Sequence, residues 1–171
     1  QREQVEDGLG VHTLILERAP YHLAISPLDV DYFELLFGFD LECRANHDEV
    51  VYDALMANTP MANLLRLNDA PDAKILDVQP VFGLSLDPSG DTQAYFEVKT
   101  RRKNRRGHSG RFRHEPISLF MTVRRYGAIE QVSDLVTIFD QLAERADKLA
   151  TERLVPDLLT PIARQITSTN A

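Results

Sequence analysis

Cysteine is nearly absent: Cys43 is the only one in 171 residues. An intrachain disulfide is therefore excluded, as is a zinc or redox site built on a CxxC pair, and a reducing compartment, the cytoplasm, is the expected location. Long apolar runs are missing as well. Nothing approaches the roughly 18 residues that cross a bilayer, so no membrane partner is expected. The first apolar stretch, residues 11–16, lies between charges and is too short for the core of a signal peptide. Neither a Gly-rich phosphate loop, nor an HExxH helix, nor a GxSxG elbow occurs, and no cofactor or metal is expected. Lysine is scarce too, with 4 against 15 arginines. Guanidinium forks suit phosphate and carboxylate partners, but a genome-wide codon preference explains the ratio as simply.

The composition that is present is that of a soluble globular domain, 43% hydrophobic and 26% charged. The length fits one domain over 1–171. A net charge of −7 argues against a protein that coats nucleic acid over its whole surface. The average conceals a partition, however. Residues 99–125 hold ten basic side chains and one acid, Glu115, a balance of +9. The other 144 residues hold 9 basic and 25 acidic side chains, a balance of −16.

Hydrophobic periodicity predicts an α+β fold. Within 1–70, residues 11–17 and 21–26 read as short strands separated by Ala19-Pro20, and 31–44 reads mostly as a third. Asn46, three residues before Glu49, has the spacing of a capping box. The helix it predicts turns Val50, Val51, Leu55 and Met56 to one face. Thr59-Pro60 starts a second short helix through Leu64, Leu65 and Leu67. Residues 73–126 read as an antiparallel β-meander. Its first strand alternates Leu76, Val78, Phe82, Leu84 and Leu86 with polar residues, and Pro80 marks it as an edge strand or a bulged one. Asp87-Pro-Ser-Gly-Asp91 is turn chemistry. The second strand turns Ala94, Phe96 and Val98 inward, and the third Ile117, Leu119, Met121 and Val123. Within 128–168, Val132, Leu135, Val136, Phe139, Leu142, Ala146 and Leu149 form a long amphipathic helix expected to cover one sheet face; Pro156 interrupts it and Thr160-Pro161 starts a last short helix. The order β-β-β-α occurs twice in this reading, with an echo between Tyr32-Phe-Glu-Leu35 and Tyr95-Phe-Glu-Val98, which suggests an internal duplication.

Two features carry candidate chemistry. The first is the insert 101–114 between the last two strands, a predicted hairpin arm with Arg101, Arg102, Lys103, Arg105, Arg106, Arg111 and Arg113 as its cations. Phe112 is its one aromatic, and His108 and His114 add charge below about pH 6.5. Such a ribbon grips phosphates in a groove or along a single strand, or lies on the acidic body of a second copy. It also has a plain reading, as edge charge that blocks sheet-to-sheet aggregation.

The second is Pro71-Asp72 followed by Glu97-Val-Lys99, which resembles the PD-(D/E)xK nuclease pattern. That resemblance implies Asp72 and Glu97 as holders of a divalent metal and Lys99 as an aid to the attacking water. Alternation does place Glu97 and Lys99 on one face. With 26 acids in 171 positions, however, at least one of four lysines follows an acid at this spacing in about half of such sequences, and Asp72-Ala-Lys74 is a second occurrence. The strand order disagrees too, because the nuclease pattern wants a helix after the ExK strand. Cys43 and His47 straddle a strand-to-helix junction, so a buried thiol is expected there rather than a metal pair.

The expected function is a non-enzymatic binding or interaction domain. Its basic arm serves self-association or protein contacts, with a homo-oligomer or a protein as partner. Nucleic-acid or polyanion binding through the same arm is the alternative, and metal-dependent nuclease activity a further one.

Overall fold

The computed structural model describes residues 2–66, 70, 72–100 and 116–169, the side chains of 2–6 excepted. The fold is α+β. In chain order run α1 (Arg2–Leu23), one 3-10 turn at Pro27–Asp29, β1 (Tyr32–Leu41), α2 (His47–Leu55), α3 (Ala62–Leu65), β2 (Val81–Ser85), β3 (Thr92–Lys99), β4 (Ile117–Tyr126) and α4 (Asp134–Leu149). A π-helical stretch, Ala150–Leu159, then leads into α5 (Thr160–Thr169). The strands form one antiparallel sheet in the order β1-β4-β3-β2. The predicted meander is thus present, with β1 added beside β4.

Alternation explains the strands. Ala94, Val98, Ile117, Leu119, Met121 and Val123 are all buried, as the period of two requires. The register of β2 on β3 follows from two bonds. Leu86 N–H donates to the Thr92 carbonyl at 2.7 Å, and Val98 N–H to the Pro80 carbonyl at 3.0 Å. In an antiparallel pair this sets Phe82 opposite Phe96 and Leu84 opposite Ala94, on the same sheet face.

The chain groups into two compact units, and every strand has residues in both. The first comprises 1–36, 83–94 and 122–149. In it α1 packs on α4, with the His12 ring stacked 6.1 Å from that of Phe139. Leu135, Ile138, Phe139, Leu142 and Ala146 of α4 are buried at helical spacing. Each of the four larger of these side chains contributes about 1.5–3 kcal/mol by leaving water. The second unit comprises 37–82, 95–121 and 150–171. In it α2 packs on α5, and α5 contacts the π-helical stretch. Its helical core is Val50, Val51, Tyr52, Leu154, Leu158, Ile162 and Ile166.

Several local expectations are corrected. Residues 11–17 and 21–26 are not strands; they belong to α1, which runs unbroken past Pro20. Leu9, Thr13, Leu16 and Pro20 recur at helical spacing as its less exposed stripe. Pro20 sits near the C-terminal end of the helix, which closes with Ile25 N–H on the Pro20 carbonyl at 3.1 Å and Ala24 at a φ of 52°. The β-β-β-α order therefore occurs once, from β2 to α4, and the suggested repeat does not occur in the element order. The first meander strand is shorter than predicted, because Asp77 has a φ of 69°, a conformation that no extended strand accommodates. It is also uncovered rather than half-buried: all five residues of β2 are exposed. Asn46 does cap α2, but through Asp48 N–H at 3.1 Å. The short helix after Thr59 begins only at Ala62, after Thr59 Oγ1 accepts from Met61 N–H at 3.2 Å. Pro156 does not stop the C-terminal helix, which continues through it as the π-helical stretch.

The predicted turn at 87–91 is built on one carboxylate. Asp87 Oδ1 accepts from Gly90 N–H at 2.7 Å and from Ser89 Oγ at 2.8 Å, and Oδ2 accepts from Thr92 N–H at 2.7 Å. Gly90 has a φ of 82°, which favours glycine there. The Thr92 and Ser89 bonds hold the Asp87 carboxyl well below the usual carboxylate range. A depressed value means that its stabilisation is present above the unfolded-state value near pH 3.9 and is lost as pH falls further. Asp87→Ala is therefore expected to lower the melting temperature at neutral pH. The gap to wild type should close as pH is taken well below about 4, as thermal denaturation at graded pH will show.

Candidate functional site

Strands β3 and β4 are neighbours, so the basic segment connects adjacent antiparallel strands. Arg101, Arg102, Lys103, Arg105, Arg106, Arg111, Phe112 and Arg113 themselves lie outside the described residues. What the structure shows is the base from which the segment departs. Thr100, directly after β3, is buried, and its hydroxyl donates to Asp48 Oδ1 at 2.6 Å. The same oxygen accepts from Val78 N–H at 2.9 Å. Asp48 is only 5% exposed and lies in the first turn of α2, where the helix dipole favours an anion. One carboxylate thus ties together the start of α2, the chain before β2 and the residue from which the segment leaves. The sequence pattern did not single out Asp48, because its partners are 30 and 52 residues away.

The sheet face opposite the buried row is polar and aromatic. In the first unit Arg124 donates through Nε and Nη2 to Glu34 Oε2, and through Nη1 to Tyr126 Oη at 2.7 Å. Its guanidinium lies 4.7 Å from the Tyr32 ring centroid and 5.6 Å from that of Tyr126, a cation–π arrangement on both. The Tyr126 hydroxyl and Glu34 hold the guanidinium above even its ordinary value. All three nitrogens are engaged within the chain, so Arg124 rigidifies the β1–β4 pairing. In the second unit Lys99 Nζ lies 3.2 Å from Glu97 and 5.1 Å from the Phe120 ring centroid. Gly38 of β1 is where that ring comes close: a Cβ there would stand 3.3 Å from it. Ser118 Oγ donates to Asp40 at 2.6 Å.

Of the nuclease-like residues, the structure brings Glu97 and Lys99 together as an ion pair. Asp72 lies on an exposed turn and makes no ion pair or side-chain hydrogen bond with either of them. Among the described residues no group of three or more His, Cys, Asp or Glu side chains is placed to hold a metal. Cys43 is buried, and burial pushes its thiol up from the ordinary value. His47 donates from Nε2 to the Cys43 carbonyl at 3.1 Å, a backbone contact rather than a thiol–imidazole pair. Beside α2 and α3 lies a cavity of about 380 Å³ lined by Tyr52, Ala57, Ala62, Asn63 and Arg66. The Arg66 guanidinium is already committed there, to Asp53 at 2.6 Å and over the Tyr52 ring at 5.1 Å.

No helix among the described residues is long and apolar enough to cross a membrane. Compared with known proteins, the chain matches no family model, no curated protein and no solved structure.

Proposed function

We propose that this chain is a non-catalytic interaction module that self-associates, the basic segment of one copy lying on the acidic body of another. The observation that carries the reading is the division of charge. Seven cations lie in the short connection 101–113 between two neighbouring strands, while residues outside 99–125 hold 25 of the 26 acids. Acceptors for the segment are available on the body: Asp140, Glu144 and Asp147 recur at helical spacing on the exposed side of α4. Arginine suits this role, because its fork meets a carboxylate bidentately. A buried lone thiol at Cys43 supports a reducing, cytoplasmic setting.

Attraction of this kind is screened. The Debye length falls from about 10 Å at 0.1 M salt to about 3 Å at 1 M, so contacts between exposed charges weaken steeply across that range. Sedimentation velocity of the wild-type chain is expected to show an oligomer at low salt that dissociates as salt is added. A monomer at every salt concentration overturns the reading. If that monomer retains labelled mixed-sequence DNA at low salt, polyanion binding takes its place.

A further inference from the structure

We propose that residues 150–169, the π-helical stretch together with α5, are a strap that stays helical only while docked on α2 and lets go as a single unit. The inference stands apart from the self-association reading and uses none of the basic segment.

The π-helical form follows from the sequence. Leu154, Leu158, Ile162 and Ile166 succeed one another at intervals of four, and all are buried. An α-helical turn takes 3.6 residues, so each four-residue step overshoots it by about 40°. In α geometry throughout, Leu154 and Ile166 would stand about 120° apart, as wide as the whole apolar stripe of an ordinary surface helix. A π-helical turn closes i→i+5 bonds and is wider, so the same step falls short of it. Overshoot in α5 and shortfall in the stretch before it offset each other. Pro156 acts in the same direction. In an α-helix its ring would clash with the Glu152 carbonyl and its missing N–H would leave that carbonyl unbonded, whereas the i→i+5 pattern passes the carbonyl to Asp157.

Neither half of the strap has the means to stand alone. The π-helical stretch runs for ten residues, far beyond the single-turn bulges in which this form ordinarily occurs. Helix α5 has ten residues, below the roughly 12–15 at which an isolated helix becomes marginal in water. Pro156 keeps the α-helical form of α4 from continuing through. Docking supplies what is missing. Helix α5 packs both on α2 and on the stretch, and Gln165 Nε2 donates to Asp53 Oδ2 at 3.4 Å. Asp53 Oδ1 in turn holds Arg66, whose guanidinium lies over the Tyr52 ring beside the cavity at α2 and α3. Release of the strap therefore uncovers α2 and frees one oxygen of the carboxylate that fixes the cavity wall.

Native-state hydrogen exchange of the full chain in graded low denaturant tests this. The amides of Leu154, Leu158, Ile162 and Ile166 are expected to join one opening transition, exchanging about a hundredfold faster than Leu119 and Met121 of β4. Pro156→Ala gives the stretch an α-helical form that survives when α5 lets go. Exchange at Leu154 and Leu158 is then expected to slow by about tenfold and to separate from that of Ile162 and Ile166. Wild-type amides that open in two separate groups, or only together with β4, overturn the inference. So does a Pro156→Ala variant in which all four amides still open together.

Discussion

Asp48→Ala is expected to remove about 3–5 kcal/mol of folding stability, because it deletes the acceptor of two bonds made inside the fold. Hydrogen bonds to a charged group are worth about 1.5–3 kcal/mol each, and a donor left buried and unpaired bears its full desolvation cost. Val78 N–H and the Thr100 hydroxyl would both be left in that state. Set against the about 5–15 kcal/mol of a typical domain, the loss is large. Urea denaturation followed by circular dichroism should show a lower midpoint with an unchanged slope, the signature of altered stability alone. Thr100→Val removes one of the two donors and is expected to cost about 1–2 kcal/mol. In the double variant the two losses should add to less than their sum, since both act through the same carboxylate. A loss under about 1 kcal/mol for Asp48→Ala would show that these bonds do not anchor the base of the segment.

The second large effect is expected at the segment itself. Replacing Arg105, Arg106, Arg111 and Arg113 with serine removes four positive charges and takes the net charge from −7 to −11. Exposed ion pairs contribute about 0.2–1 kcal/mol each, so the loss of four weakens association by about fourfold to nearly a thousandfold. The buried cores among the described residues are built from other side chains, and circular dichroism and the urea midpoint are expected to stay close to wild type. Sedimentation at low salt reads the effect directly. An unchanged association constant would remove the segment from the contact.

Strands β3 and β4, the turn on Asp87, and helix α4 were legible in the sequence for a common reason. Each is specified by neighbouring residues: a period of two, a Pro-Ser-Gly run, or a period of 3.6. The misreadings have equally local causes. Pro20 reads as a boundary between strands, whereas α1 runs past it without the N–H bond to the Leu16 carbonyl and ends three residues later. The alternation through Leu76 and Val78 continued past Asp77, whose positive φ takes the chain out of the extended region. What no local pattern contains is pairing over distance. The Arg124–Glu34 contact joins residues 90 apart, and it exists only because β1 lies beside β4. The candidate site divides along the same line. The charge partition is a property of the sequence. The Asp48 anchor is a property of the fold.

Lys103 is the only lysine between residues 101 and 113, which makes it a reporter for where the segment rests. A mixture of heavy-nitrogen-labelled and unlabelled copies, treated at low salt with a carbodiimide that joins lysine to a contacting carboxylate, tests the central claim most directly. The prediction is a mixed-isotope cross-link between Lys103 of one copy and an acidic residue of the other's body, such as Asp140, Glu144 or Asp147, which disappears at high salt. Lys103 joined only to carboxylates of its own copy, or joined across copies equally at low and high salt, would contradict it.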